Sequence, residues 1–147
     1  MDTSAQNQPI VVERLFRASP ERIWQALTDL DQMKKWYFKL DAFKPEPGFE
    51  FQFRSGTSDG TQFLHLCKIT KVVPCKMLAY TWQYQGVPGL SEVSFELFAE
   101  GTGTRVVISH SGTDSFVSAG PDFALASFTK GWTYILNISL ATYLSES

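Results

Sequence analysis

His65 and His110 are the two histidines of this 147-residue chain, and Cys67 and Cys75 its two cysteines. His110 shares the alternating parity of Val106 and Ile108, and His65 that of Phe63 and Cys67. Both imidazoles therefore belong to the buried side of predicted strands. A histidine near a strand end can donate to a ligand carbonyl or serve as acid or base. A satisfied, partly buried histidine is the plainer alternative. Two imidazoles without a carboxylate or thiolate pattern beside them do not make a zinc site, so no metal is expected. Ser109-His110-Ser111 with Asp114 looks like a triad. Neighbours on a strand point to opposite faces, however, so Ser109 and His110 do not meet. There is no G-x-S-x-G elbow and no P-loop, and Gly101-Thr102-Gly103 lacks the third glycine and the helix that a dinucleotide needs. No catalytic residue is assigned; His110 and His65 are the candidates if there is one, and no cofactor is implied.

The aromatic residues give a second pattern. Phe51, Trp82 and Phe95 share the inward parity of apolar neighbours on predicted strands, and Phe128 and Trp132 share one helical stripe. With Trp36 and His110 they are expected to bound an apolar pocket, in which the rings give affinity and the histidine gives orientation. A simple filled core is the other reading of the same rings. The cysteines are expected to be free thiols. With a turn near Val73-Pro74 they fall on neighbouring strands out of register, Cys75 facing roughly Val72.

The strands and helices that carry these groups follow from punctuation. Ile10–Arg17 reads as a strand. Ser19-Pro20-Glu21 starts a helix, with a Ser N-cap, Pro at the first position and an acid near the positive end. Its apolar side is Ile23, Trp24, Leu27 and Leu30, and Asp31 is placed as the cap of a second short helix ending near Trp36. After a loop at Lys44–Gly48, Phe49, Phe51 and Phe53 alternate on a strand. A turn at Ser55–Gly60 leads to strands over Phe63–Val73 and Lys76–Tyr84. The latter carries Leu78, Tyr80, Trp82 and Tyr84 on one face. Gly86–Gly89 turns the chain into a hairpin over Ser91–Gly112, and Pro121–Leu144 reads as one long helix. Its stripe is Leu125, Phe128, Trp132, Ile135, Leu136, Ser139 and Tyr143. Tyr134 and Ile138 lie off that stripe, where a monomer or a weak homodimer contact is the expectation.

This order predicts an α+β fold with helices on one face of a curved antiparallel sheet. The length favours one domain over 1–147, with residues 1–8 flexible. The net charge of −2 gives no footprint for nucleic acid. No apolar run approaches the roughly 20 residues that span a bilayer, and the polar N-terminus is no signal peptide, so a cytoplasmic location is expected. Asn137-Ile138-Ser139 fits the glycosylation pattern but falls inside the predicted helix.

The same residues carry a resemblance. Ala18–Asp29, Trp36, Pro47-Gly48 before an F-x-F strand, Leu78–Trp82, the Val93–Gly112 hairpin, and Gly131-Trp132 leading to Tyr143-Leu144 resemble the START-like (SRPBCC, birch-pollen-allergen-type) superfamily. Within it they are most similar to the branch of activators of the heat-shock chaperone ATPase, homologue-1-like. Phe49 stands where relatives often have a second glycine. The resemblance implies a helix-grip fold with a cavity between sheet and C-terminal helix, and relatives that bind lipids, sterols or polyketides or act as cyclases. The expected function is non-enzymatic binding of a small apolar or aromatic molecule. A cyclase-, aromatase- or hydrolase-like enzyme using His110 or His65, and an interaction module in contact with a chaperone, are the alternatives.

Overall fold

A computed structural model describes residues 10–37, 40, 42–56, 62–113 and 125–145. Strand β1 (Ile10–Phe16) is followed by helices α1 (Pro20–Thr28) and α2 (Leu30–Trp36). Five strands come next: β2 (Glu50–Gly56), β3 (Gln62–Val73), β4 (Met77–Tyr84), β5 (Val87–Glu100) and β6 (Gly103–Ser111). The C-terminal helix is α-helical over Leu125–Tyr134 (α3), π-helical over Ile135–Leu140 and α-helical again over Ala141–Ser145 (α4). The six strands form one antiparallel sheet in the order β1-β6-β5-β4-β3-β2, so the first strand closes beside the last. The curved sheet and the helix across it are the α+β helix-grip arrangement that the sequence predicts.

Local chemistry accounts for the entry into α1. The Ser19 hydroxyl accepts from the Arg22 N–H at 3.1 Å, and Pro20 occupies the first turn, where no N–H is needed. Ile23, Ala26 and Leu27 are buried, while Trp24 is only half-buried. Helix α2 starts at Leu30 with Asp29 at its cap position, two residues earlier than the Asp31 cap read from sequence. The Asp29 carboxylate caps no helix N–H and accepts instead from the Gln32 side-chain amide at 3.2 Å; the Asp29 N–H closes α1 onto the Gln25 carbonyl, so one residue ends one helix and begins the next.

The turns are tighter than the sequence suggested. Glu100 pairs with Gly103, which leaves a two-residue turn at Gly101-Thr102 and puts Gly103 in the strand. A side chain there would come within 2.3 Å of the Phe16 carbonyl, so Gly103 is what lets β6 run beside β1. Tyr84 pairs with Val87, so the turn is Gln85-Gly86 and β5 begins well before Ser91. Pro88 to Leu90 stand opposite the single residue Gln83, where the β4–β5 register shifts between Trp82 and Tyr84. Ser55 and Gly56 belong to β2 rather than to a turn. Cys75 sits in the β3–β4 turn, not on a strand, with φ of 62°, and both cysteines are free. The turn residues 57–61, residues 1–8, Asp114 and the predicted helix start at Pro121 lie outside the described residues.

The inward stripe of the C-terminal helix is Phe128, Trp132, Leu136 and Leu140. The sequence placed Ser139 there, but Ser139 is half-buried and Leu140 is the residue in the core. A four-residue repeat drifts about 40° per step around an ideal α-helix. The wider π turns hold that drift back and keep four positions on one face. Arg14 on β1 donates to the Asn137 carbonyl within this segment at 3.1 Å.

Candidate functional site

Inward parity brings the predicted residues to one side of the sheet. Register rows run Ile10, His110, Val93, Tyr80 and Ile69 across β1-β6-β5-β4-β3. Phe95 and Leu78 form part of the adjacent row, and Trp82 pairs with Ser91. Across these rows lies Trp132. Its indole has ring neighbours Trp82 at 5.4 Å, His110 at 5.7 Å, Phe95 at 5.9 Å and Tyr37, stacked at 21°, at 6.5 Å. Phe128 closes on His110 edge-on at 5.3 Å. Trp82, Phe95, His110, Phe128 and Trp132 are thus one buried cluster. Trp36 and Phe51 stand beside it. The Trp36 indole donates to the Ala26 carbonyl at 2.8 Å and its ring meets Tyr37; Phe51 packs on Phe43 and Tyr80.

A chain of hydrogen bonds threads this cluster. The Trp132 indole N–H donates to His110 Nδ1 at 2.9 Å. An indole only donates, so Nδ1 carries the lone pair and the neutral ring bears its proton on Nε2. His110 Nε2 lies 2.8 Å from Ser91 Oγ, which therefore accepts, and the Ser91 hydroxyl donates to the Trp82 carbonyl at 3.0 Å. Each donor has one acceptor along the whole path, and its direction is fixed. Burial pulls the His110 pKa down from 6.5 to about 3. The ring is neutral and both nitrogens are engaged.

His65 sits on β3 opposite Phe53, stacked on it at 4.5 Å, and edge-on to Trp82 and Tyr84. Its Nδ1 is 3.0 Å from the Phe63 carbonyl, and since a carbonyl only accepts, that nitrogen holds the proton. Burial lowers its pKa to about 4, against the opposing pull of the Phe63 and Phe53 backbone. The two histidines flank Trp82 on opposite sides, at 5.1 and 5.4 Å, and so share one wall. The Tyr37 and Tyr80 hydroxyls meet at 2.6 Å, and burial raises both pKa values well above the usual 10. The Trp82 indole donates to the Tyr84 hydroxyl at 2.8 Å. Among the described residues no buried side-chain polar atom lacks a partner, and no three His, Cys, Asp or Glu side chains gather as metal ligands.

Sequence reasoning missed Ser91 and Tyr37. Ser91 was legible: it stands two residues before Val93, which pairs with His110, so it is the diagonal same-face neighbour of the imidazole. Tyr37 gave no signal, because it lies past the end of α2, where no period assigns a face.

The outer face is different. A depression of about 720 Å³ lies over β2, β3 and β4, with Glu50, Gln52, Lys68, Thr81 and Gln83 in its lining, and another of about 300 Å³ is lined by Lys71, Glu92, Ser94, Ser109 and Ser111 among others. Both are open to solvent and mixed in character, the first also lined by Phe51, Leu66, Cys67 and Leu90.

Residues 17–145 match the family described as activator of Hsp90 ATPase homolog 1-like protein. The chain is similar to the crystal structure of protein MLL2253 from Mesorhizobium loti, at 30% identity over 95% of this chain and 98% of that one, with a TM-score of 0.76. CalU16 from Micromonospora echinospora shares the fold at 23% identity, covering 93% of this chain and 76% of its own, with a TM-score of 0.73. DynU16, of the dynemicin biosynthetic locus, does so at 22% identity and a TM-score of 0.76; the match covers 95% of this chain and 48% of DynU16. No curated protein matches the chain. No described helix is long and apolar enough to cross a membrane. With the family matched over residues 17–145 and the fold shared end to end with MLL2253, the chain belongs to the activator of Hsp90 ATPase homolog 1-like family, within the START-like superfamily.

Proposed function

We propose that the protein binds a small apolar or aromatic molecule between the sheet and the C-terminal helix, without transforming it, in the cytoplasm. The observation that carries this reading is the cluster around Trp132: rings from α3, β4, β5 and β6, with Tyr37 beside them, converge on a hydrogen-bonded histidine. Aromatic walls with one oriented polar group are the makeup of a small-molecule site. The state of the histidines supports binding over catalysis. A general acid or base works best with a pKa near the working pH. Burial takes both imidazoles well below it, and the His110 nitrogens are already engaged. Trp36 and Phe51 are proposed as the outer parts of the same wall.

Native mass spectrometry of the protein purified from its own host tests this. A co-purified small molecule lost on mild heating, together with saturable quenching of tryptophan fluorescence by an apolar dye, is the expected result. A clean apo mass, no binding across a broad ligand screen, and retention of a chaperone by the folded protein would replace the binding reading with the interaction-module one.

A further inference from the structure

We infer that the ligand is an aromatic molecule bearing an N–H or O–H donor, such as a phenol or an indole, and that it takes the place the Trp132 indole holds at His110 Nδ1. This rests on the binding reading above and specifies its ligand class. The Trp82 carbonyl can only accept, and it takes the Ser91 proton. Ser91 Oγ must then accept from His110 Nε2, which leaves Nδ1 as a lone pair aimed at the helix side of the cluster. That order does not depend on Trp132. Remove the indole, and the Trp82 carbonyl and Ser91 still hold the proton on Nε2 and present an acceptor. The polar group offered to a ligand is thus an acceptor. The sequence had suggested a donor for a ligand carbonyl, and the hydrogen-bond chain reverses that polarity.

The seat also has a shape. Tyr37 lies nearly parallel to the Trp132 rings, while Trp82, Phe95 and His110 meet them edge-on. A flat, fused or single ring with one donor at its edge fits this surround, and Trp132 is the internal example. The element that lets the seat be vacated follows three residues later. The π segment Ile135–Leu140 carries extra residue per turn, and its conversion to α-helix would turn α3 by about 100° relative to α4, carrying Trp132 off the sheet.

Two matched probes test the inference on the intact chain: 2-naphthol, which has a donor, and 2-methoxynaphthalene, which has none. Calorimetric titration of the wild type should show 2-naphthol at least about fivefold tighter, since the methoxy compound leaves a buried acceptor unpaired. Trp132→Phe keeps a ring in the seat but removes its hydrogen bond. It should tighten 2-naphthol by about threefold or more, because an internal competitor is weakened. A residue that merely lines the pocket would show a loss instead. Ser91→Ala frees the imidazole to carry its proton on Nδ1, so the preference for 2-naphthol should disappear. Equal binding of the two probes, or weaker 2-naphthol binding by Trp132→Phe, overturns the donor inference while the binding reading stands. Binding of neither probe, nor of any other apolar compound, removes the binding reading itself. Should either variant fail to fold, imidazole ¹⁵N spectra of the wild type decide the polarity: a proton on His110 Nε2 supports the inference, and a proton on Nδ1 overturns it.

Discussion

The two faces of this sheet are made by the same strands, one residue apart, and they obey different physics. On the inner face, Trp82, His110, Ser91 and Trp132 exchange hydrogen bonds in a space shielded from water, and burial holds both histidines neutral. On the outer face, Arg105 pairs with Glu13 at 2.9 Å and Glu100 at 2.7 Å, with both carboxylates exposed and the Arg105 side chain half-exposed. Geometry alone would rank the ion pairs as the stronger contacts. Solvent reverses the ranking. Exposed pairs are screened and pay side-chain entropy, whereas a buried polar chain that loses one member strands the others. The comparison shows where function can be stored: in the face where a single donor or acceptor matters.

That contrast can be broken at several points, beginning with the largest effect. Trp132→Ala removes a buried indole and leaves His110 Nδ1 without its donor. It should cost roughly 3–5 kcal/mol in urea melts. A loss below about 1 kcal/mol would show that this ring is not part of the packed interior. The next effect is acid sensitivity. The folded pKa values of His110 and His65, about 3 and about 4, lie below the unfolded value near 6.5. The unfolded chain therefore takes up protons first as pH falls. Their stabilisation is complete above about pH 6.5 and is lost on descending toward the folded values, at roughly 1 kcal/mol per pH unit for each histidine. Melts at pH 7, 6 and 5 should show this slope, and His110→Gln should reduce it. A flat profile from pH 7 to 5 would mean that the imidazoles are wet.

Smaller effects come from the turn and the outer face. Cys75 holds φ of 62°, a conformation that costs an ordinary residue roughly 1–2 kcal/mol and glycine little. After glycine's added chain entropy, Cys75→Gly should still stabilise by about 0.5 kcal/mol, read as a raised midpoint at unchanged slope. The least effect is expected from Arg105→Ala, which breaks both ion pairs yet should leave the urea midpoint within measurement scatter. A shift as large as that of Cys75→Gly would mean that the outer face carries more of the fold than its exposure allows.

Much of the inner face was legible because strand period is so regular. Phe51, Trp82, Phe95 and His110 all fell on the side that two-residue alternation assigns them. What was not legible lay where the period is interrupted. The β4–β5 register shift hid the early start of β5 at Val87. The π segment moved Leu140 into the position that α-helical spacing gave to Ser139. A turn fixed by a positive φ, rather than by strand pairing, kept Cys75 off the strand facing Cys67. The direction of the hydrogen-bond chain required coordinates, since it depends on which ring nitrogen meets which group.

A small aromatic molecule bound at the inner face would perturb the indoles that line it. The most direct test is a titration of the ¹⁵N-labelled protein with 2-naphthol, followed at the four tryptophan indole N–H signals. Trp82 and Trp132 lie within the cluster, while Trp24 stands half-buried on α1. The Trp82 and Trp132 signals should move saturably with one common dissociation constant, and Trp24 should stay in place. Shifts confined to outer-face amides such as those of Gln52, Lys68 and Thr81, with the Trp82 and Trp132 signals unmoved, would contradict inner-face binding.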